Sequence, residues 1–214
     1  TYGQGWVSGE DHGCTLLDQV LKVTGTRSAS LGPGADGENV ASDFAWRAID
    51  IATVAEADFA DASELVTEQF NAFTQGWNDH LADVGRDDVT GWCAGAEWIR
   101  PLEPVEVYTY ARSIMLLASS GALVSYLGSA QPPAPVVGLT RSTQPIEPTS
   151  FPDLGLGPTA DRGSNGWAIG STRVAGGVGG ILLANPHFPW EGELRFSEVH
   201  LIVPGQYDIY GANL

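Results

Sequence analysis

The hydrophobic period of this chain changes twice along its length. Up to about residue 127 apolar residues recur at helical spacing, from 131 to 163 they follow no period, and after Ser164 they alternate. A helix-period pattern does not settle as a strand, nor the reverse. The predicted order is therefore helices first and strands after, an α+β chain.

The helical part has one dominant segment. Val66, Phe70, Phe73, Trp77 and Leu81 fall on one face of a 3.6-residue repeat. Core packing is the default reading of that stripe. Asp61-Ala62-Ser63-Glu64 before it has the character of a capping box, and His80, near Asp79, is expected at the surface. Leu16 to Val23 reads as a short helix after a Gly-rich, aromatic start. A further helix through about Val54 has Ser42 or Asp43 as its expected N-cap. Residues 87–100 read as a loop carrying Trp92, Cys93 and Trp98. Pro104 suits the first position of another helix, with Glu103 and Glu106 at its positive end. That helix is expected to run to about Leu127, weakened at Gly121.

From Gln131 to Gly163 the chain is rich in Pro, Gly, Ser and Thr, the composition of a linker. Strands are expected over Trp167–Val174, Ile181–Asn185, Leu194–Val203 and Gln206–Ala212, with turns at Ala175–Gly180 and Pro204-Gly205.

Composition excludes several classes of function. The net charge is −16 and Lys22 is the sole lysine, which argues against nucleic-acid or anionic-membrane partners. No run approaches the roughly 20 apolar residues of a membrane helix. Gly32-Pro33-Gly34-Ala35-Asp36-Gly37 matches a dinucleotide fingerprint on paper, but no buried strand precedes it and no helix opens directly from it. Gly176–Gly180 lacks the Lys of a phosphate loop. His12 beside two acids makes no metal set, and no cofactor is expected. Cys14 and Cys93 allow one disulfide, suited to an oxidising compartment, or two separate buried thiols.

The chemistry-bearing stretch is Gly163-Ser164-Asn165-Gly166 at the start of the first strand, after the long linker. A serine hydroxyl is a weak nucleophile without a neighbouring base. A serine that becomes a chain terminus carries its own, because an α-amine titrates at about 7.7–8.0. Gly163, without a side chain, lets the junction take strained dihedrals during a cut. Ser164 would attack the Gly163 carbonyl, and water would release the ester.

That junction, together with Ala184-Asn185-Pro186-His187-Phe188-Pro189-Trp190 and Arg195-Phe196 to His200-Leu201, resembles the penicillin acylase family of N-terminal-nucleophile hydrolases. Within it, Asn185 to Trp190 is similar to the branch removing long acyl chains, the aculeacin-type lipopeptide acylases and acyl-homoserine-lactone acylases. The resemblance implies an αββα sandwich, of which this chain holds a helical α-chain region (1–130), a spacer removed on maturation (131–163) and the start of the β chain (164–214). It implies hydrolysis of an N-acylated small molecule, lipopeptide or penicillin, with Ser164 as nucleophile and His187 beside its amine. Asn165 is expected to fix the new terminus, and Phe188 and Trp190 to wall the acyl chain. The oxyanion donors would lie beyond Leu214, the α and β chains would form a heterodimer, and the protein would be secreted or periplasmic. In an unbroken chain Ser164 has an amide nitrogen, the state of a precursor. The alternative reading is a non-catalytic two-part interaction module or an inactive fragment.

Overall fold

Glycine recurs at every fourth position early in the chain, at Gly5, Gly9 and Gly13, and all three are buried. In the computed structural model, which describes residues 1–116, 163–190 and 192–213, they line one side of helix α1 (Tyr2–Val23). Helix α5 (Glu64–Val84) packs against them. A Cβ at Gly5 would run into the Phe73 carbonyl, and one at Gly76 of α5 into the Tyr2 carbonyl. A Cβ at Gly9 would lie 2.7 Å from the His80 ring. The two backbones approach this closely only because those side chains are missing.

The pattern predicts helix only from Leu16, yet α1 begins at Tyr2, with non-helical angles at His12 (φ −136°, ψ 15°). Each glycine disfavours a helix by about 1 kcal/mol, and burial against α5 overrides that preference. His80 is likewise not at the surface. It is 7% exposed and meets Trp6 edge-on at 5.4 Å, in room left by Gly9.

Helix α2 (Arg27–Leu31) is held at its start by a residue of α3 (Glu38–Ile49). The Asp43 carboxylate accepts the Arg27 and Ser28 N–H groups at 2.9 and 2.8 Å and the Ser28 hydroxyl at 2.5 Å. Arg27 in turn grips Asp18 of α1 through two bonds of 2.7 and 2.9 Å. Asp43 therefore caps a neighbouring helix. Its own helix starts earlier, after Gly37, with Ser42 and Asp43 buried inside it. Asp50, in the left-handed region at φ 58°, separates α3 from α4 (Ile51–Ala60). Ser63, not Asp61, is the N-cap of α5, and it makes no side-chain cap bond.

Helix α6 (Pro104–Leu116) begins at the expected proline. Its continuation towards Leu127 and nearly all of the spacer lie outside the described residues. Asn78 of α5 pins the segment before it: its amide donates to the Leu102 carbonyl at 2.9 Å and accepts the Leu102 N–H at 2.8 Å. The core of this part gathers Leu17, Val20, Trp77, Val89, Ile99, Leu102 and Val107 around a Cys14–Cys93 disulfide. Phe59, Phe70 and Tyr108 add a ring cluster with centroids 5.1–6.2 Å apart, and Arg112 pairs with Asp58.

The chain divides into two units, Thr1–Leu154 and Gly155–Leu214. The second holds two antiparallel hairpins, β1 (Gly163–Ile169) with β2 (Ile181–His187) and β3 (Ser197–Val203) with β4 (Tyr207–Asn213). Mixed helix and antiparallel sheet is thus the observed class. A 3-10 turn over Ser171–Arg173 ends the first strand earlier than its sequence pattern predicts. Among the described residues no helix is long and apolar enough to cross a membrane.

Three outcomes follow for stability. Gly76→Ala should lower the free energy of unfolding by about 2 kcal/mol or more through overpacking. Gly3→Ala, with open space around it, should not lower it; urea titration of both variants checks this. Reducing the disulfide, which spans a sequence separation of 79, should cost on the order of 4 kcal/mol by loop entropy, read from the same titration with and without reductant. Burial works against the charge on Glu106. The Arg100 guanidinium, at 2.6 and 2.8 Å, and the Glu103 N–H outweigh it, and the carboxyl is held below the usual carboxylate range. A carboxyl lowered in the folded state stabilises above its unfolded pKa, near 4.3, and loses that contribution as pH falls through the folded value. The stability gap between wild type and Glu106→Gln should therefore shrink from pH 7 to pH 3.

Candidate functional site

Strand β1 starts at Gly163 and runs antiparallel to β2, with Gly163 opposite His187, Ser164 opposite Pro186 and Asn165 opposite Asn185. Strand side chains alternate between faces, and directly opposed residues share one. The register therefore sorts the hairpin. Gly163, Asn165, Trp167 and Ile169 share a face with Ile181, Leu183, Asn185 and His187. Ser164, Gly166 and Ala168 share the other with Leu182, Ala184 and Pro186.

On the first face the His187 ring is met by two amides. Asn185 Nδ2 lies 3.2 Å and Asn165 Nδ2 3.4 Å from His187 Nε2. Farther along, Trp167, Leu183, Ile169 and Ile181 form an apolar continuation of the same face, each of them exposed. On the opposite face Ser164 has small neighbours, and a Cβ at Gly166 would meet only the Leu183 carbonyl, at 3.7 Å. The uncut strand thus brings Gly163 to His187 across the ladder while pointing the Ser164 side chain the other way. Asn165, expected to hold the new terminus, contacts His187.

Past β2 the two candidate aromatic walls differ. Phe188 is half-buried and stacks at a tilt on Phe196, with centroids 4.6 Å apart. Trp190 is 93% exposed. Phe196 and Asn185 both lie within the quoted motifs, but the motifs assign neither a role. A period of two, counted back from His187, puts Asn185 on its side.

The other hairpin carries a polar face of its own. His200 Nε2 lies 2.6 Å from Asp208, and the Tyr210 hydroxyl donates to Glu198 at 3.0 Å. That hydrogen bond holds the Tyr210 phenol above its usual range. These are exposed cross-strand pairs, which solvent screening leaves worth little to stability. Among the described residues no three His, Cys, Asp or Glu side chains gather as a metal site.

The whole chain, residues 1–214, matches the family model for penicillin amidase. The chain belongs to the penicillin amidase family. It is 33% identical to the acyl-homoserine lactone acylase PvdQ of Pseudomonas putida, 34% to the aculeacin-A acylase of Actinoplanes utahensis and 32% to the PvdQ acylase of Pseudomonas fluorescens. Each alignment covers 100% of this chain but only 27–28% of the relative. The chain thus spans little more than a quarter of the curated proteins it resembles. Its relatives are acylases, and the hairpin bearing Ser164 and His187 lies within the penicillin amidase match.

Proposed function

We propose that this chain is the α-chain region, spacer and opening β-chain strands of an acylase that hydrolyses the amide of an N-acylated substrate. Ser164, exposed as a chain terminus by cleavage after Gly163, is the nucleophile. The observation carrying this reading is the ladder itself: the cleavage-site glycine pairs with His187, the histidine of the acylase-like motif.

The chemistry runs in two stages through one oxygen. Ser164 Oγ attacks the Gly163 carbonyl, the C–N bond breaks as the nitrogen takes up a proton, and water hydrolyses the resulting ester. The freed α-amine then accepts the hydroxyl proton while Oγ attacks the substrate acyl carbon. The amine leaving group departs protonated, and water clears the acyl-enzyme. His187 orients the new terminus. Phe188, braced by Phe196, and Trp190 offer apolar surface to the acyl group. Relatives named as acylases of acyl-homoserine lactone and aculeacin A support an N-linked acyl group as the group released.

The remaining parts are further strands completing an αββα sandwich, an oxyanion hole supplied by them, and an αβ heterodimer left by removal of the spacer. Export to an oxidising compartment accords with the Cys14–Cys93 bridge.

The experiment is expression of the full-length protein with and without Ser164→Ala. Wild type should resolve on denaturing mass spectrometry into two chains, the second beginning at Ser164, and should release fatty acid from acyl-homoserine lactones or a lipopeptide. Ser164→Ala should stay joined at 163–164 and lose turnover by about 10⁴-fold or more. Wild type that hydrolyses acyl amides while residue 164 remains inside an unbroken chain would refute the reading.

A further inference from the structure

Two amide groups from opposite strands converge on one ring nitrogen. Asn165 and Asn185 face each other in the ladder, and each presents Nδ2 to His187 Nε2, at 3.4 and 3.2 Å. An amide –NH₂ only donates, so a nitrogen approached by two of them serves as an acceptor. A neutral imidazole with Nε2 as acceptor carries its proton on Nδ1, and the partner of one ring nitrogen sets the role of the other. From this geometry, and resting on the acylase reading above, we infer that Asn185 is a positioning residue for His187. With Asn165 it holds the ring in place and in the Nδ1–H tautomer.

Cleavage makes this clamp matter. In the uncut chain His187 has Gly163 as its cross-strand partner. Breaking the Gly163–Ser164 bond frees Gly163 from the strand, and the ladder position opposite His187 loses its covalent tie to β1. The next pair on that face, Asn165 with Asn185, belongs to the part of the ladder that cleavage leaves intact. Those two amides are then what the ring retains from the uncut state. Asn185 also lies two residues from His187 on the same strand, so its contact does not depend on β1 at all. A carboxylate would act differently. It only accepts, as Asp208 does from His200 at 2.6 Å diagonally across the other ladder, and would draw the proton to Nε2.

The test reads the tautomer directly. In ¹⁵N-histidine-labelled protein at a fixed pH of about 9, above the ordinary imidazole pKa, the His187 ring signals are assigned by their loss in His187→Gln. Wild type should show an unprotonated Nε2. Asn185→Asp should move the proton to Nε2, and Asn185→Ala should give a mixture. In the processed full-length enzyme Asn185→Ala should lower kcat at least about tenfold with KM within about twofold, the split expected when a misoriented group acts in the transition state. Asn165→Ala, at a separate strand, should change the ring signals in the same direction and serves if an Asn185 variant does not fold. A protonated Nε2 in wild type, or ring signals and kcat unmoved by these variants, overturns the inference. The ring signals are equally readable in uncut Ser164→Ala protein. An enzyme that neither cuts nor turns over therefore defeats the functional reading alone, while the signals still decide the clamp.

Discussion

The pairing of β1 with β2 in a single register is the constraint on which the site depends. Side-chain direction in a strand has a period of two, so a slip of one residue would carry a whole strand's side chains to the other face. As paired, His187 keeps company with Asn165 and Asn185, and Ser164 with Pro186 and small residues. Slipped by one, the histidine would share the serine's face and lose Asn165, while Asn185 would move with it. Bulk guards the register too. Trp167 opposes Leu183 and Ile169 opposes Ile181 on one side, against Gly166 with Ala184 on the other. A one-residue shift would exchange the large and small faces of one strand only and break every matched pair.

This separation of faces bears on why a precursor would be inert towards substrate. Inside an intact strand the Ser164 nitrogen is an amide, whose lone pair is delocalised into the carbonyl and serves as no base. The imidazole nearest in the ladder projects from the opposite face. Neither of these two groups is the base that the substrate reaction uses. Breaking the bond removes both obstacles at once: the nitrogen becomes an amine on the same residue as the hydroxyl, and the new terminus is no longer tied to the strand geometry of residue 163.

Much of this was legible in the sequence, and the reasons for the gaps are specific. The stripe from Val66 to Leu81, Pro104 as a helix start and the order of helices before strands all follow from local periodicity, which survives folding. The first 13 residues do not read as helix because four glycines argue against it locally. The fit of Gly5 against the Phe73 carbonyl and of Gly9 against the His80 ring, across α1 and α5, is a long-range fact. His80 fails for the same reason, since the space it fills is made by a glycine 71 positions earlier. Ser42 and Asp43 read as caps of their own helix yet lie inside it, and the Asp43 carboxylate instead accepts from the start of α2, a contact no local pattern contains. At the site, Ser164 and His187 are visible as motif residues. The partnership of Asn165 with Asn185 needs the register, which no single segment contains.

The described strands of the second unit bury little apolar surface. Leu194 is the only buried hydrophobic among its described residues. Trp167, Leu182, Leu183 and Ile181 are all more than half exposed. Isolated two-stranded hairpins are marginal in water, and strands gain independent stability from a third strand or a packed layer. A catalytic group must be held within about half an ångström of its working position by supporting packing, and an uncovered hairpin supplies little. On the proposed reading, packing against the two faces of the hairpin therefore does two things. By covering the Trp167 face it would stabilise the register that sorts serine from histidine, and by approaching the small-residue face it would close a site around the Ser164 hydroxyl. Stability of the ladder and competence of the nucleophile would then rise together, because both depend on packing against these two faces.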